Sequence, residues 1–200
     1  MEGVYLLIMQ VPFDEMFDSN GKVWPHYAIF NDWLHQQSDV QMSYKREEAE
    51  LIFRRIGITF AIYGDEKGTE RTIPFDQIPR IIPNQDWKIL EEGLKQRVKA
   101  LNLFLHDIYH DEKILKAGLI PKQQIYNNSQ YRPEMRHIDV PRNIYAHIAG
   151  IDIIRAEEGK YYVLEDNLRV PSGVSYMVEN RKMMMRLFPD LFEKYSIAPV

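Results

Sequence analysis

Two hundred residues, 45% hydrophobic and 27% charged, suffice for one domain with a sizeable core or for two small ones, and they exclude a disordered or fibrous chain. Lys plus Arg number 25 against 29 Asp plus Glu, so the formal net charge of −4 lacks the basic excess of a nucleic-acid binder. The absence of cysteine excludes a disulfide scaffold, a zinc ribbon and a thiol nucleophile. The apolar run at 4–9 is too short for the core of a signal peptide and follows no basic segment. No stretch approaches the roughly 18 apolar residues of a membrane span. A cytoplasmic protein without membrane or nucleic-acid partners is expected.

In chain order, residues 11–40 mix proline, aromatic and polar side chains, which predicts irregular structure and then a short helix near 29–37. Residues 43–55 have helical periodicity, with Ser43 as N-cap and Glu47 and Glu48 in the first turns, and Gly57 ends that helix. The β-branched and aromatic run ITFAIY at 58–63 predicts a strand, 65–68 its turn and 71–75 the return strand. Pro74, Pro79 and Pro83 then exclude a helix. Asn84 caps the longest one. From Trp87 the positions Leu90, Leu94, Val98, Leu101, Leu105 and Ile108 recur every three or four residues, the apolar stripe of an amphipathic helix reaching about Tyr109. A shorter helix over 112–117 is stopped by Gly118, with Pro121 beyond. Residues 126–141 read as loop, 144–154 and 161–165 as strands, and 175–188 as a final helix. The class is mixed α+β.

The most informative stretch is 150–176. Two apolar runs flank Glu157-Glu158-Gly159-Lys160, the composition of a hairpin turn. With Glu158 and Gly159 at its centre, Asp152 faces Glu165 and Gly150 faces Asn167. Alternation then places Asp152, Glu165 and Asn167 on one face. Like charges opposed across a strand pair are destabilising, so either a cation lies between them or one carboxylate stays protonated. Oxygen-only ligands suit a hard cation such as Mg²⁺, which commonly also binds substrate phosphates. Asp152, Glu165 and Asn167 are therefore read as a magnesium site. The competing reading is an exposed polar strand end, and a slip of one residue would send Asp152 to the other face. Arg169, Pro171, Ser172 and Gly173 follow as a loop into a helix start, where backbone N–H groups favour anions. A substrate carboxylate or phosphate would dock there with Arg169 as its catalytic counter-charge; the plain alternative is a helix-entry turn.

An Asp, then thirteen residues on a Glu-x-Asn, then a Pro/Ser/Gly loop resembles the metal-binding end of ATP-grasp ligases. Longer segments in the same order, including GITFAIYGDEKGTERTIPFDQIPRIIP, LKQRVKALNLFLHDIYHDEKIL, RPEMRHIDVP, HIAGIDIIR and YYVLEDNLRVPSGVSYMVENRKMMMRLFP, resemble the circularly permuted ATP-grasp family. This family is similar to the synthetase part of glutathionylspermidine synthase, and the likeness runs over about 14–200. Residues 1–40 are expected as an irregular N-terminal segment. A partial circularly permuted ATP-grasp domain would follow at 41–200, with a β-hairpin metal site and flanking helices. The likeness implies Mg²⁺ ligation by Asp152, Glu165 and Asn167, and acceptor contacts by Ser172 and the Gly173 backbone. ATP would be a substrate, joined by an amino-acid or peptide carboxylate and an amine in a ligation that passes through an acylphosphate.

Two departures from the family pattern stand out. Many ATP-grasp enzymes carry an Arg two residues before the metal Asp, where this chain has Gly150; Arg155 and Arg169 are the candidates to replace it. Pro171 also lies one residue later than in the usual Asn-x-x-Pro-Gly. The nucleotide-clamping part, with its lysines and glycine-rich loop, follows the metal segment in the permuted order. This chain is thus expected to carry the magnesium-binding and acceptor-loop half and to be inactive by itself, the remainder lying beyond residue 200 or in a partner chain. A non-catalytic binding or scaffolding remnant and a metal-dependent hydrolase are the alternatives.

Other constellations compete. His106 and His110 stand at i and i+4 on one helix, a zinc-enzyme spacing, but Asp107 replaces the usual Glu and no third ligand is evident, so a structural helix face is expected. Asp111 is a further ligand candidate or a hydrogen-bond partner. Tyr63, Gly64, Asp65 and Arg71 either line the acceptor pocket or fix their hairpin. Met183, Met184 and Met185 read as helix core. Arg132, Arg136 and Arg142 form a modest basic cluster in a solvated loop.

Overall fold

Helix α1 spans Ala28–His35, and the helix after it starts earlier than periodicity alone suggests, because Ser38 builds a complete capping box. The Ser38 hydroxyl accepts the Gln41 backbone N–H at 3.2 Å, and the Gln41 side chain accepts the Ser38 N–H at 2.8 Å. Helix α2 therefore runs Asp39–Arg55, and Ser43, expected as the cap, falls inside it. Gly57 lies just past its end at φ +70°, in the left-handed region where the missing Cβ avoids a clash.

The computed structural model describes residues 13–61, 70–72, 75–156 and 159–199. They fall into two compact units, Met1–Pro83 with Ser172–Val200, and Asn84–Pro171. In the first unit, α1 and α2 are joined by strands β1 (Thr59–Ala61) and β2 (Glu70–Thr72), paired antiparallel with Phe60 opposite Arg71. The C-terminal part returns as helices α6 (Val174–Leu187) and α7 (Pro189–Lys194). The second of these escapes a purely periodic reading, although Pro189 at its first turn and Asp190 beside it are ordinary helix-start residues.

The core of this unit is aromatic. Phe30 and Phe53 are fully buried, Trp33 meets the Phe188 ring edge-on at 5.1 Å, and Phe53 meets Phe75 edge-on at 5.6 Å. Met183, Met184, Leu187 and Leu191 complete it, while Met185 turns to solvent. Two tyrosine hydroxyls tie loops to this core. Tyr27 accepts the Ile81 N–H at 2.9 Å and Tyr195 accepts the Phe30 N–H at 2.9 Å.

The second unit is built on α3 (Asn84–Tyr109), the 26-residue helix that the apolar stripe predicts. Helix α4 (Lys113–Lys116) follows after a left-handed residue, Glu112, and ends before Gly118 at φ +72°. The carboxylate of Asp107 accepts the N–H groups of Lys113 and Ile114, both at 2.9 Å, and so caps α4 from the end of α3. A short helix α5 (Lys122–Tyr126) begins directly after Pro121, so that proline opens a helix rather than only lying beyond the end of α4. The segment expected as loop contains one 3-10 turn, Pro133–Met135, and a second, Pro141–Asn143, starts at its end.

Strand β3 (Gly150–Arg155) is shorter than the 144–154 run suggests. The side-chain oxygen of Asn102 on α3 takes the N–H groups of Tyr145 and Ala146 at 2.7 and 3.1 Å, holding that stretch against the helix where no strand ladder competes. Strand β4 (Tyr161–Asn167) pairs antiparallel with β3. No described helix is long and apolar enough to cross a membrane.

Candidate metal centre

The hairpin of β3 and β4 brings together three of the residues singled out in the sequence. Asp152 pairs with Glu165 and Gly150 with Asn167, as the alternation argument requires. The route to that register differs from the expected one. Nearer the turn, Ile153 pairs with Val163, Ile154 with Tyr162 and Arg155 with Tyr161, one residue out of step with the Asp152–Glu165 pair. The Ala156 N–H bonds to the Lys160 carbonyl at 2.8 Å, so the two-residue turn centred on Glu158 and Gly159 is not what closes the ribbon. Glu158 itself lies outside the described residues. A β-bulge at Leu164 inserts the compensating residue between Val163 and Glu165. Leu164 and Glu165 are consecutive exposed residues, which unbroken alternation does not allow.

The two faces of the ribbon have different surroundings. Asp166 points to α3, where the Arg97 guanidinium donates Nε to Oδ1 and Nη2 to Oδ2, both at 2.6 Å. That bond, reinforced by the guanidinium charge, holds the Asp166 carboxyl below its ordinary range. Arg155 and Tyr161 also face α3. The Arg155 Nη2 and the Tyr161 hydroxyl both donate to Asp86 Oδ2, at 2.9 and 3.2 Å, and the guanidinium lies over the Tyr161 ring at 4.9 Å. Asp152 and Glu165 occupy the opposite, exposed face with Asn167 beside them, and the Asn167 amide nitrogen donates to Glu165 Oε1 at 2.9 Å. This donor set is two carboxylates and one amide, all offering oxygen, the chemistry of Mg²⁺ rather than zinc. The Asn167 amide satisfies one Glu165 acceptor site, and a half-turn of that amide would present its oxygen to a cation instead. Among the described residues no group of three or more His, Cys, Asp and Glu side chains is arranged around a metal position.

Gly150 has a steric reason for departing from the family's Arg. A Cβ at this position would lie 2.9 Å from the Cβ of Pro171 and 3.5 Å from that of Asn167. Pro171, the proline displaced by one residue in the sequence, therefore occupies the space that a side chain at 150 would need. Arg155 is committed to Asp86 on the face away from Asp152, which leaves Arg169 as the basic residue of the pair on offer near the strand end. Arg169 is exposed, two residues after β4, and has no ion pair among the described residues. Ser172 and Gly173 belong to the first unit, where Gly173 is the N-cap of α6 at φ +90° and Ser172 is exposed.

The histidine pair is held by contacts within the second unit. The His106 and His110 rings stack with centroids 4.1 Å apart. His110 bonds through Nδ1 to the His106 carbonyl at 2.9 Å and through Nε2 to Asp139 at 3.2 Å, and Tyr145 approaches His106 at 3.4 Å. Asp111 pairs with Lys113 at 2.7 Å, and Arg136 with Glu112 at 2.8 Å, which breaks up the basic cluster. Tyr63, Gly64 and Asp65 lie outside the described residues, and Arg71 is in β2. The Asp86 and Arg97 contacts were not anticipated, although their eleven-residue spacing puts them on one face of α3.

Comparison with known proteins adds a family to this geometry. The family described as a circularly permuted ATPgrasp matches residues 79–200. The chain is 44% identical over 188 residues to an uncharacterized protein of Synechocystis sp., covering 94% of this chain and 39% of that one. It is 40% identical over 194 residues to an uncharacterized protein of Mycobacterium tuberculosis, covering 96% of this chain and 34% of that one. A Frankia casuarinae protein named "Putative glutamate--cysteine ligase 2-2" is 37% identical over 179 residues, 90% of this chain and 20% of that one. The chain thus spans well under half the length of each of these relatives.

Proposed function

The chain belongs to the circularly permuted ATP-grasp family, and on that premise we propose that it carries the magnesium-binding and acceptor-loop half of an ATP-dependent carboxylate–amine ligase. In this reaction a carboxylate oxygen takes the γ-phosphoryl group of ATP, ADP leaves, and an amine displaces phosphate from the acylphosphate to form the amide. The observation that carries the reading is the Asp152–Glu165 pair, two carboxylates directly opposed on the exposed face of a ribbon whose other face is occupied by α3. Such an opposition is unfavourable, and a cation between the two carboxylates would offset it.

Asp152, Glu165 and Asn167 would hold Mg²⁺, which when bound neutralises phosphate charge and aligns the reacting groups. Arg169, two residues beyond the ribbon and without an ion pair among the described residues, supplies the counter-charge for a phosphate or carboxylate that the Gly150 position cannot. Ser172 and the Gly173 backbone receive the acceptor carboxylate. The nucleotide clamp would come from the part of the longer proteins that this chain does not span, or from a partner chain, and the ligase would work in the cytoplasm.

Calorimetric titration of the 200-residue chain with Mg²⁺ and a non-hydrolysable ATP analogue tests this, alongside Asp152→Asn and Glu165→Gln. The expected result is weak, Mg²⁺-dependent binding that falls at least about tenfold in both variants, more than 1.4 kcal/mol. Binding of equal strength in all three proteins would overturn the assignment.

A further inference from the structure

We infer that Arg97 is a positioning residue for the metal ligands: its fork on Asp166 fixes the rotation of β4 that keeps Glu165 and Asn167 on the open face. The inference rests on the reading of Asp152, Glu165 and Asn167 as a magnesium site. Asp166 is the residue between the two β4 ligands, so whatever fixes its direction also fixes theirs, because neighbouring side chains of a strand point to opposite faces. Arg97 grips it with two parallel bonds of 2.6 Å, a geometry that defines a plane as well as a distance. The Asp166 side chain keeps only 17% of its exposure, against 43% for Arg97.

Beyond the bulge the ladder resumes over three pairs, Asp152–Glu165, Ile151–Asp166 and Gly150–Asn167, and the Arg97 fork holds the middle one. At Leu164 the ladder is interrupted immediately before Glu165, so the pairing nearer the turn does not by itself dictate which way Glu165 points. A second contact lies at the other end of the ribbon, where Asp86 of α3 receives Arg155 and Tyr161. The separations agree. Eleven residues of helix from Asp86 to Arg97 span about 16 Å, and five residues of strand from Tyr161 to Asp166 span about the same. The polarity is crossed, with the acid on the helix at one end and on the hairpin at the other. Docking the ribbon end for end would oppose Asp166 to Asp86 and Arg155 to Arg97, so the two contacts select one direction.

The native chain has no cysteine, which permits a direct readout of side-chain direction. In an Asp152→Cys/Glu165→Cys background, the thiol–disulfide equilibrium against glutathione reports how well the two positions face each other. Adding Arg97→Gln is expected to lower the effective thiol concentration at least about tenfold (29.6 mV in midpoint). Exchanging the pair, Arg97→Asp with Asp166→Arg, is expected to restore most of it. In the cysteine-free protein, Mn²⁺ affinity measured from the free-ion electron paramagnetic resonance signal is expected to fall severalfold with Arg97→Gln and to recover in the exchange.

An unchanged disulfide equilibrium in Arg97→Gln overturns the positioning role. A loss that the exchanged pair does not restore overturns it as well, since a general weakening of the fold would behave that way. Mn²⁺ affinity that is the same in the unmodified chain and in Asp152→Asn overturns the metal reading, and the inference with it.

Discussion

Pro171 stands where a side chain at Gly150 would have to be: a Cβ built on Gly150 would meet the Pro171 Cβ at 2.9 Å. Two departures from the usual ATP-grasp pattern, a glycine for an arginine and a proline one residue late, are therefore a single steric arrangement. Gly150→Ala is expected to destabilise the protein by about 1–3 kcal/mol, as for other overpacked sites. The cost should shrink in the presence of Pro171→Gly, and a double-mutant cycle of urea midpoints measures the coupling. Additive effects would show that the proline ring yields without strain.

The Asp166–Arg97 contact has a pH signature. Its carboxyl titrates below the ordinary 3.8, first because of the Arg97 hydrogen bond and then because of that residue's charge, partly opposed by burial. A depressed folded value means stability that is fully present above the unfolded value and lost as pH falls through the folded one. Docking of the hairpin should therefore persist at pH 4 and weaken below it. Chemical shifts of the Asp166 carboxyl across acid pH, compared with Arg97→Gln, provide the check; an equal titration in both proteins would contradict the assignment.

At the alkaline end two buried tyrosines of the first unit give a second pH signature. Burial raises Tyr27 above the ordinary 10.0, partly offset by the bond from the Ile81 N–H, and burial likewise raises Tyr195 against the bond from Phe30. Folding favours the neutral phenols, so their contribution is complete below pH 10 and disappears as pH rises through the folded values. Tyr27→Phe leaves the Ile81 N–H without its acceptor, which is expected to cost about 1–3 kcal/mol at neutral pH. It should also remove one tyrosinate from the alkaline unfolding step followed by absorbance.

Ser38 offers a simpler test. Ser38→Ala removes the oxygen that holds the Gln41 N–H and should cost about 1 kcal/mol. Ser43→Ala, five residues into α2, should cost little. The order of their thermal midpoints distinguishes the observed cap from the one that periodicity alone suggests.

Much of this molecule is written in local chemistry. The stripe from Leu90 to Ile108 is enough to define α3, because a helix repeats on its own period and its stripe must be buried somewhere. A hairpin between the two apolar runs was likewise legible from its turn composition, but Asp152 meets Glu165 only because a bulge offsets a turn one residue different from the expected one. The start of α2 was legible too, in the Ser38 and Gln41 capping box, but periodicity pointed to Ser43 instead. What sequence order could not reveal are the contacts between residues far apart in the chain. Arg97 and Asp166, or Asp86 and Arg155, are 69 positions apart and meet only when the hairpin lies along α3. The bulge at Leu164 belongs with them. An extra residue in one strand leaves no mark on composition or period, and only pairing with a partner strand reveals that Glu165, one step out of phase with the turn, faces Asp152.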